Sequence, residues 1–166
     1  MNYLNELKDL KELIFKKQNL FFIILVIIIF SIDRISKIKV ISEFHDRAYS
    51  INNFLDIDLI WNIGIGFGFL STDSSFIYNS ITLIISIVIL ALFFILIKSK
   101  NLDKLIYTII IGGALGNFYD RLIYRGVPDF IDLHFNNFHW FTFNVADIFI
   151  SMGILFFIIR SFFVKN

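Results

Sequence analysis

The sequence contains no cysteine among its 166 residues. This absence excludes disulfide bonds, a thiol nucleophile, a cysteine-ligated metal and a lipid-modified cysteine on the chain itself. The Gly-x-Ser-x-Gly motif of serine hydrolases and the His-Glu-x-x-His motif of zinc proteases are absent too. The formal net charge is only +1, with no basic stripe, so nothing predicts nucleic-acid binding. The reactive groups that remain are mainly carboxylates.

Apolar residues dominate what is present. They make up 57% of the chain, and the mean hydropathy is +0.77, whereas a soluble domain averages about 45–50% apolar residues. The excess falls in four blocks, which predict membrane spans at about 18–40, 76–97, 105–124 and 142–160. We therefore expect a mainly α membrane protein with four transmembrane helices, forming a single domain over residues 1–166.

Basic residues flank the same ends of these blocks throughout the chain. By the positive-inside rule, both termini and the link between the second and third spans are cytoplasmic. The first block, with its basic leader, could instead be a signal peptide, but no small-x-small cleavage site follows it, so we interpret it as a retained helix. The flanking residues are Lys16, Lys17, Lys98, Lys100, Lys104, Arg160 and Lys165.

The extracytoplasmic segments, 42–75 and 125–141, carry strand patterns. Leu55 to Trp61 begins with apolar and polar residues in alternation, and Phe130 to Phe143 gives two alternating runs around Asn136-Asn137. We expect a small β element on the extracytoplasmic side. A glycine-rich stretch with Gly64, Gly66 and Gly68 indicates a bend or a close approach of the backbone.

Polar residues inside three spans share one depth. Asn117 lies 13 residues beyond Lys104, Asp147 lies 13 before Arg160, and Asp33 lies 13 beyond Leu20. At 1.5 Å per residue, each is roughly 20 Å from the cytoplasmic edge. Because a charge in the membrane costs about 2.5–3.5 kcal/mol on insertion scales, these groups are expected to face one another around a wet pocket. The small residues Gly112, Gly113, Ala114 and Gly116 would let the helices pack closely around it.

Two carboxylates in such a pocket could share a proton and cleave an amide without metal or covalent intermediate. Asp120 is adjacent to Arg121 and could simply neutralise it, and Asp33 has Lys37 one turn away. Asp129 and Asp147 have no obvious local cation, so they are the best candidates. Structural interpretations remain open, because Asp129 after Pro128 could be a turn residue, and Asn144-x-x-Asp147 is typical of a helix N-cap with an acid in its first turn.

A second group of polar residues lies in the expected hairpin. Asp132, His134 and His139 could be metal ligands across it. We expect instead that they form its solvated face, with Asp132 facing water, and we predict neither a metal site nor a cofactor.

The ordered motifs resemble those of the lipoprotein signal peptidases (signal peptidase II). Asp33 to Lys37 is similar to the Asp-x-x-Ser-Lys of that family's first helix, and Asn62, Gly64 and Phe67 fit its Asn-x-Gly-x-x-Phe stretch. Gly112 to Asn117 followed by Asp120-Arg121 resembles its third-helix signature. Asp129-Phe130 has the expected spacing, and Phe143 to Asp147 with Gly153 resembles its fourth-helix signature. Pro128, Gly66 and Gly68 depart from the usual pattern, and the glycines bear on the stiffness of a lid loop.

The resemblance implies a bacterial inner-membrane aspartyl endopeptidase. It would cut diacylglyceryl-modified prolipoproteins just before the lipidated cysteine, with membrane lipids and lipidated precursors as its partners. It would act as a monomer, with its active site toward the outer leaflet. By position, Asp129 and Asp147 would be the catalytic pair. The supporting residues around substrate and pair would be Asp33, Lys37, Asn62, Gly113, Asn117, Arg121 and Asn144.

Two other functions fit parts of the pattern. A presenilin-type intramembrane protease is suggested by Tyr119-Asp120, but no Gly-x-Gly-Asp follows in a later span. A small ion- or proton-coupled carrier could use the buried Asp and Arg residues. Changing each Asp to Asn separates these hypotheses, because a carrier would lose transport and have no peptidase activity.

Overall fold

The computed structural model describes residues 3–44, 47–64, 74–136 and 138–163. The helices are α1 (Tyr3–Ile14), α2 (Lys17–Glu43), α3 (Ser75–Lys98), α4 (Asn101–Tyr124) and α5 (Val145–Phe163); the strands are β1 (Tyr49–Asn52), β2 (Leu55–Asn62), β3 (Val127–Phe135) and β4 (Phe138–Phe143). The chain is thus mainly helical with one small antiparallel sheet in the order β1-β2-β3-β4, which confirms the expected fold class at this level.

Each of the four long helices covers one of the apolar blocks. Among the described residues, α3 and α5 are long and apolar enough to cross a membrane, with peak mean hydropathies of 3.1 and 2.0. Only 17% and 11% of those stretches are buried within the fold, unlike the core helix of a soluble protein. Helices α2 and α4 are 27 and 24 residues long, but charged residues interrupt their apolar character.

Two boundaries differ from the expected ones for local reasons. Helix α5 begins at Val145 rather than near 142, because residues up to Phe143 belong to β4 and Asn144 caps the helix. Helix α4 begins at Asn101 rather than 105, with Asp103 in its first turn paired to Arg160 of α5. The amphipathic leader forms a helix of its own, α1, and β1 is a strand that the alternation pattern did not predict.

Helix α4 lies between α2, α3 and α5 and approaches two of them closely at glycines. An ideal Cβ on Gly112 would lie 2.7 Å from Cβ of Ile29, and one on Gly113 would lie 2.6 Å from the carbonyl oxygen of Ala146. Gly116 packs against the carboxylate of Asp33. The prediction that small residues let these helices pack closely is confirmed.

A buried amide ties the helices together at the other end of the bundle. Asn19 Nδ2 donates to the carbonyl oxygens of Leu13 (2.7 Å) and Ile97 (3.1 Å), and Asn19 Oδ1 accepts from the buried Lys104 ammonium. Through these three hydrogen bonds, Asn19 connects α2 to the end of α1, to the end of α3 and to α4. Next to it, Phe22, Val26, Leu96, Ile97 and Ile111 form an apolar core.

The sheet contains both expected strand regions. Strand β2 covers the Leu55–Trp61 pattern, and β3 and β4 form the hairpin, with Asn136 at φ 53° in its turn. Asn137 lies outside the described residues, and so do Gly66, Phe67 and Gly68 of the glycine-rich stretch and His45. Asp129 is not a turn residue, because it pairs with Ile60 inside the sheet.

Candidate active site

A cavity of about 330 Å³ lies where β3 meets the ends of α4 and α5, and both Asp129 and Asp147 line it. Asn62, Asn117 and Arg121 line it as well. Its remaining wall is mostly apolar, formed by Ile85, Ala114, Val127, Ile150, Ser151 and Ile154. The two acids that lacked a local cation in the sequence therefore share one cavity.

Side-chain amides hold Asp129 from both sides. Asn62 Nδ2 donates to Oδ2 at 2.9 Å, and Asn144 Nδ2 donates to Oδ1 at 2.5 Å. Asn62 is itself fixed, because its Oδ1 accepts from the backbone N–H of Gly64 at 2.9 Å. Only 3% of Asp129 is exposed, so its carboxyl group is oriented by protein rather than by water.

Asp147 is held by a different set of donors at the start of α5. Asn117 Nδ2 donates to its Oδ1 at 2.8 Å, and the backbone N–H of Asn144 donates to its Oδ2 at 3.2 Å. In return, the backbone N–H of Asp147 donates to Asn144 Oδ1 at 3.0 Å. This is a reciprocal capping box, so the helix-cap interpretation of Asn144 and Asp147 is correct. The same Asn144 side chain also contacts Asp129, and it therefore connects the two acids.

Behind the acids, Lys37 organises a buried network. Its ammonium lies 2.8 Å from Asp33 Oδ2 and 2.7 Å from Asp120 Oδ2, and donates to Asn117 Oδ1 at 2.8 Å. These contacts match the three donors of an ammonium group. Because Lys37 occupies the oxygen of Asn117, the amide nitrogen of Asn117 is turned toward Asp147.

Asp33 and Asp120 have structural partners on other helices. Asp33 Oδ1 accepts from the backbone N–H of Ala146 at 2.9 Å, in the first turn of α5. Asp120 pairs with Arg34 and Lys37 of α2. The interpretation that Asp120 neutralises Arg121 is therefore wrong, because Asp120 faces α2. Arg34, which lies beside Asp33 in the sequence, was not predicted to be this partner.

Arg121 is a buried cation in the wall of the cavity. Only 5% of it is exposed. Its Nε and Nη1 have no hydrogen-bond partner among the described residues. It can therefore offer N–H donors to a bound group.

The environment of Asp129 favours its protonated form. Burial raises its pKa to about 7, and the neighbouring Asp147 carboxylate acts in the same direction. The amide donors Asn62 and Asn144 oppose this shift because they stabilise the charged form. Near neutral pH this carboxyl can therefore hold or release a proton, as acid–base catalysis requires.

The structure thus brings together all of the expected site residues, some in the cavity wall and some next to it. Asp129, Asp147, Asn62, Asn117 and Arg121 line the cavity, and Asn144 bonds to both acids. Asp33 and Lys37 support it from behind, and Gly113 sets the spacing of α4 and α5. Asp132 and His134, expected on a solvated face, are instead buried or nearly so, with side-chain exposures of 7% and 10%.

Comparison with known proteins gives consistent matches over most of the chain. The protein-family model described as Signal peptidase (SPase) II matches residues 25–163. The lipoprotein signal peptidase of Pelagibacter ubique is 46% identical over 148 residues, which cover 87% of this chain and 89% of that protein. The lipoprotein signal peptidase of Francisella tularensis subsp. novicida is 36% identical over 127 residues, covering 72% and 77%. A solved structure described as a bacterial membrane enzyme has a TM-score of 0.67 and 28% identity, covering 85% of this chain and 87% of its own.

Proposed function

The chain belongs to the signal peptidase II family, and we propose that Asp129 and Asp147 are the catalytic pair with which it removes signal peptides from lipoprotein precursors. The protein is a peptidase of lipoprotein processing, and its family gives no support to a carrier function. The aspartic mechanism, the site residues and the membrane orientation are our proposals. The observation that carries them is the shared cavity, in which amide groups orient the two acids.

The proposed reaction needs one proton between the two acids. The ionised carboxylate takes a proton from a water molecule, whose oxygen attacks the scissile carbonyl carbon. The protonated carboxyl donates its hydrogen to the carbonyl oxygen as the tetrahedral intermediate forms. The intermediate then collapses when the C–N bond breaks and the leaving nitrogen receives a proton. The raised pKa of Asp129 supports a shared proton near neutral pH. Because the two groups titrate as a pair, the proton belongs to the dyad rather than to one residue.

The surrounding residues have distinct proposed roles. Asn62, Asn117 and Asn144 orient the carboxyl groups. Lys37 orients the amide of Asn117, and Asp33 holds the first turn of α5. Arg121 offers its unpartnered N–H groups to a carbonyl oxygen of the bound precursor. Gly113 keeps α4 and α5 close enough for Asn117 to reach Asp147.

We further propose that α2 to α5 all span the bacterial inner membrane, with both termini in the cytoplasm. Helices α2 and α4 are long enough, and four of their buried charges, Asp33, Arg34, Lys37 and Asp120, are paired within the bundle rather than facing lipid. The sheet would then lie at the outer surface and bring Asp129 to the outer leaflet. A precursor anchored there by its diacylglyceryl group and signal helix would present its cleavage site, just before the lipidated cysteine, at the depth of the dyad. The chain would act as a single domain and as a monomer.

The decisive experiment is cleavage of a diacylglyceryl-modified precursor by purified protein. Asp129→Asn and Asp147→Asn should each abolish cleavage while folding and membrane insertion persist, because either change removes the dyad's acid–base pair. Asp103→Asn is the matched control, since this acid pairs with Arg160 at the other end of α4, and it should retain activity. Cleavage by both cavity variants at the wild-type rate would overturn the assignment of the dyad.

A further inference from the structure

A second cluster of ionisable side chains lies on the sheet, outside the cavity. Its members come from three adjacent strands: Asp56 from β2, Asp132 and His134 from β3, and His139 from β4. Asp132 is the register partner of Asp56, and His134 is the register partner of His139. Cross-strand pairing therefore brings two imidazoles and two carboxylates to one place, and the proposed peptidase mechanism uses none of them.

The donor atoms are close enough to converge on one ion. One ligand atom each from Asp132, His134 and His139 lie within 4.8 Å of one another. His139 Nδ1 is 2.5 Å from Asp132 Oδ2, and His134 Nδ1 is 3.7 Å from Asp56 Oδ2. The two imidazole rings stack with their centroids 5.1 Å apart. A tetrahedral zinc site, with bonds of about 2.0–2.2 Å, needs its ligand atoms roughly 3.3–3.6 Å apart. On binding the ion, the side chains would have to bring these separations, 2.5 Å for His139 and Asp132 and 3.7 Å for His134 and Asp56, to that value.

The hydrogen bonding of this cluster is incomplete without a cation. Asp56 Oδ1, Asp132 Oδ1 and His134 Nδ1 are buried and have no hydrogen-bond partner among the described residues. The Asp132 side chain is only 7% exposed and that of His134 only 10%. Buried polar atoms are normally paired, and an ion bound between these three would satisfy them together. Simple His–Asp pairing, the alternative, joins His139 to Asp132 Oδ2 and His134 to Asp56 Oδ2, and it leaves Oδ1 of both carboxylates unsatisfied.

We propose that Asp56, Asp132, His134 and His139 bind one Zn²⁺ ion. Two imidazole nitrogens and two carboxylate oxygens suit Zn²⁺, whereas Mg²⁺ and Ca²⁺ prefer sites made only of oxygen ligands. The His139 side chain is 56% exposed, so it gives the ion a way in from solvent and can move to complete the tetrahedron. The expectation that this hairpin face is merely solvated is replaced by a metal site.

The ion would brace the sheet from the face opposite the cavity. Asp132 follows Asp129 by three positions on β3, and side chains alternate along a strand, so the two point to opposite faces. The metal takes no part in the proposed cleavage. It would instead tie β2, β3 and β4 together and stabilise the strand that carries Asp129. The inference therefore stands whether or not the dyad assignment is correct.

Calorimetric titration of Zn²⁺ into the full-length, metal-stripped protein in detergent tests the proposal. We expect one saturable site per chain, at least tenfold weaker binding in His139→Ala, and no measurable binding in His134→Ala/His139→Ala. Asp58→Asn, which removes an acid from β2 outside the cluster, should bind as the wild type does. Mg²⁺ at the same concentration should not compete. Because the His139 side chain is 56% exposed, its variant should fold, and a circular-dichroism spectrum unchanged from that of the metal-stripped wild type verifies this.

A second measurement follows thermal unfolding. Zn²⁺ should raise the melting temperature of the wild type and of Asp58→Asn, and should leave that of the double histidine variant unchanged, since binding to the folded state alone stabilises it. The absence of a one-to-one site, or wild-type affinity in His139→Ala, would overturn the proposal.

Discussion

The amide of Asn117 is where the buried network meets the proposed dyad, and Asn117→Ala tests that connection. Asn117 accepts from Lys37 at 2.8 Å and donates to Asp147 Oδ1 at 2.8 Å. After the substitution Lys37 still contacts two carboxylates, those of Asp33 and Asp120. The principal loss is thus the donor to Asp147, and we expect the variant to remain folded.

The size of the effect follows from the kind of bond lost. A hydrogen bond to a charged group contributes about 1.5–3 kcal/mol. In the proposed mechanism the ionised carboxylate must stay aligned with the attacked carbonyl, and this donor aligns Asp147. The free energy of the lost hydrogen bond therefore adds to the activation free energy. Each 1.36 kcal/mol is a factor of ten in rate, so kcat should fall roughly 10- to 150-fold. KM should change little, because the hydrogen bonds of Asn117 go to Asp147 and Lys37, and the proposed mechanism assigns it no contact with the substrate.

Asn19→Ala provides the matched control. Asn19 is also a buried amide that accepts from a buried lysine, Lys104, but it lies at the other end of the bundle. Its loss should lower thermal stability and leave kcat unchanged. Cleavage of a diacylglyceryl-modified precursor at saturating concentration, with melting curves of both variants, separates the two effects. Wild-type kcat in Asn117→Ala, or an equal fall in Asn19→Ala, would refute the role given to Asn117.

Three other outcomes are expected. Because the folded-state pKa of Asp129 is raised to about 7 from 3.8, the stability that its protonated form contributes is fully present below about pH 4 and is lost as pH rises through 7. The shared proton is lost over the same range, so a pH series of kcat/KM should show activity declining above about pH 7. A flat alkaline limb would contradict the shared proton. Gly113→Ala should destabilise the protein by about 1–3 kcal/mol in thermal unfolding, because the new Cβ meets the backbone oxygen of Ala146. In the control Gly126→Ala, the new Cβ is 3.5 Å from its nearest neighbour and should be tolerated. Equal melting temperatures of the two variants would argue against the close packing of α4 and α5. Asp120→Asn should cost about 3–5 kcal/mol in denaturant unfolding, because it weakens the acceptor for two buried cations of α2, and a loss below 1 kcal/mol would show that these cations find other partners.

Much of the helical framework could be predicted because hydropathy and charge act locally along the chain. The four apolar blocks coincide with α2 to α5 to within a few residues, and alternation identified β2 and the hairpin. Strand β1 is only four residues long and its side chains are all exposed, so burial left no alternation to detect. Helix α1 is amphipathic rather than uniformly apolar, and a search for membrane spans overlooks such a segment.

The partners of the charged residues were harder to predict, because they depend on how the helices are rotated about their axes. Spacing correctly paired Asp33 with Lys37, which are one turn apart on the same helix. The partner of Asp120 lies on α2, and proximity in sequence suggested Arg121 instead. Asp132 shows the same limitation in the sheet. Alternation predicted that its side chain faces water, but Asp56 of β2 and His139 of β4, on the two neighbouring strands, cover it.

Asn144 shows why a structural and a functional interpretation of one motif need not compete. The sequence allowed Asn144-x-x-Asp147 to be either a helix cap or part of a catalytic site. The reciprocal capping bonds fix the Asn144 side chain at the first turn of α5. Because the side-chain oxygen accepts from the Asp147 backbone, the amide nitrogen points away from the helix, and it donates to Asp129. The cap therefore determines which atom of Asn144 faces the proposed dyad, so the same hydrogen bonds that begin the helix also orient the two acids.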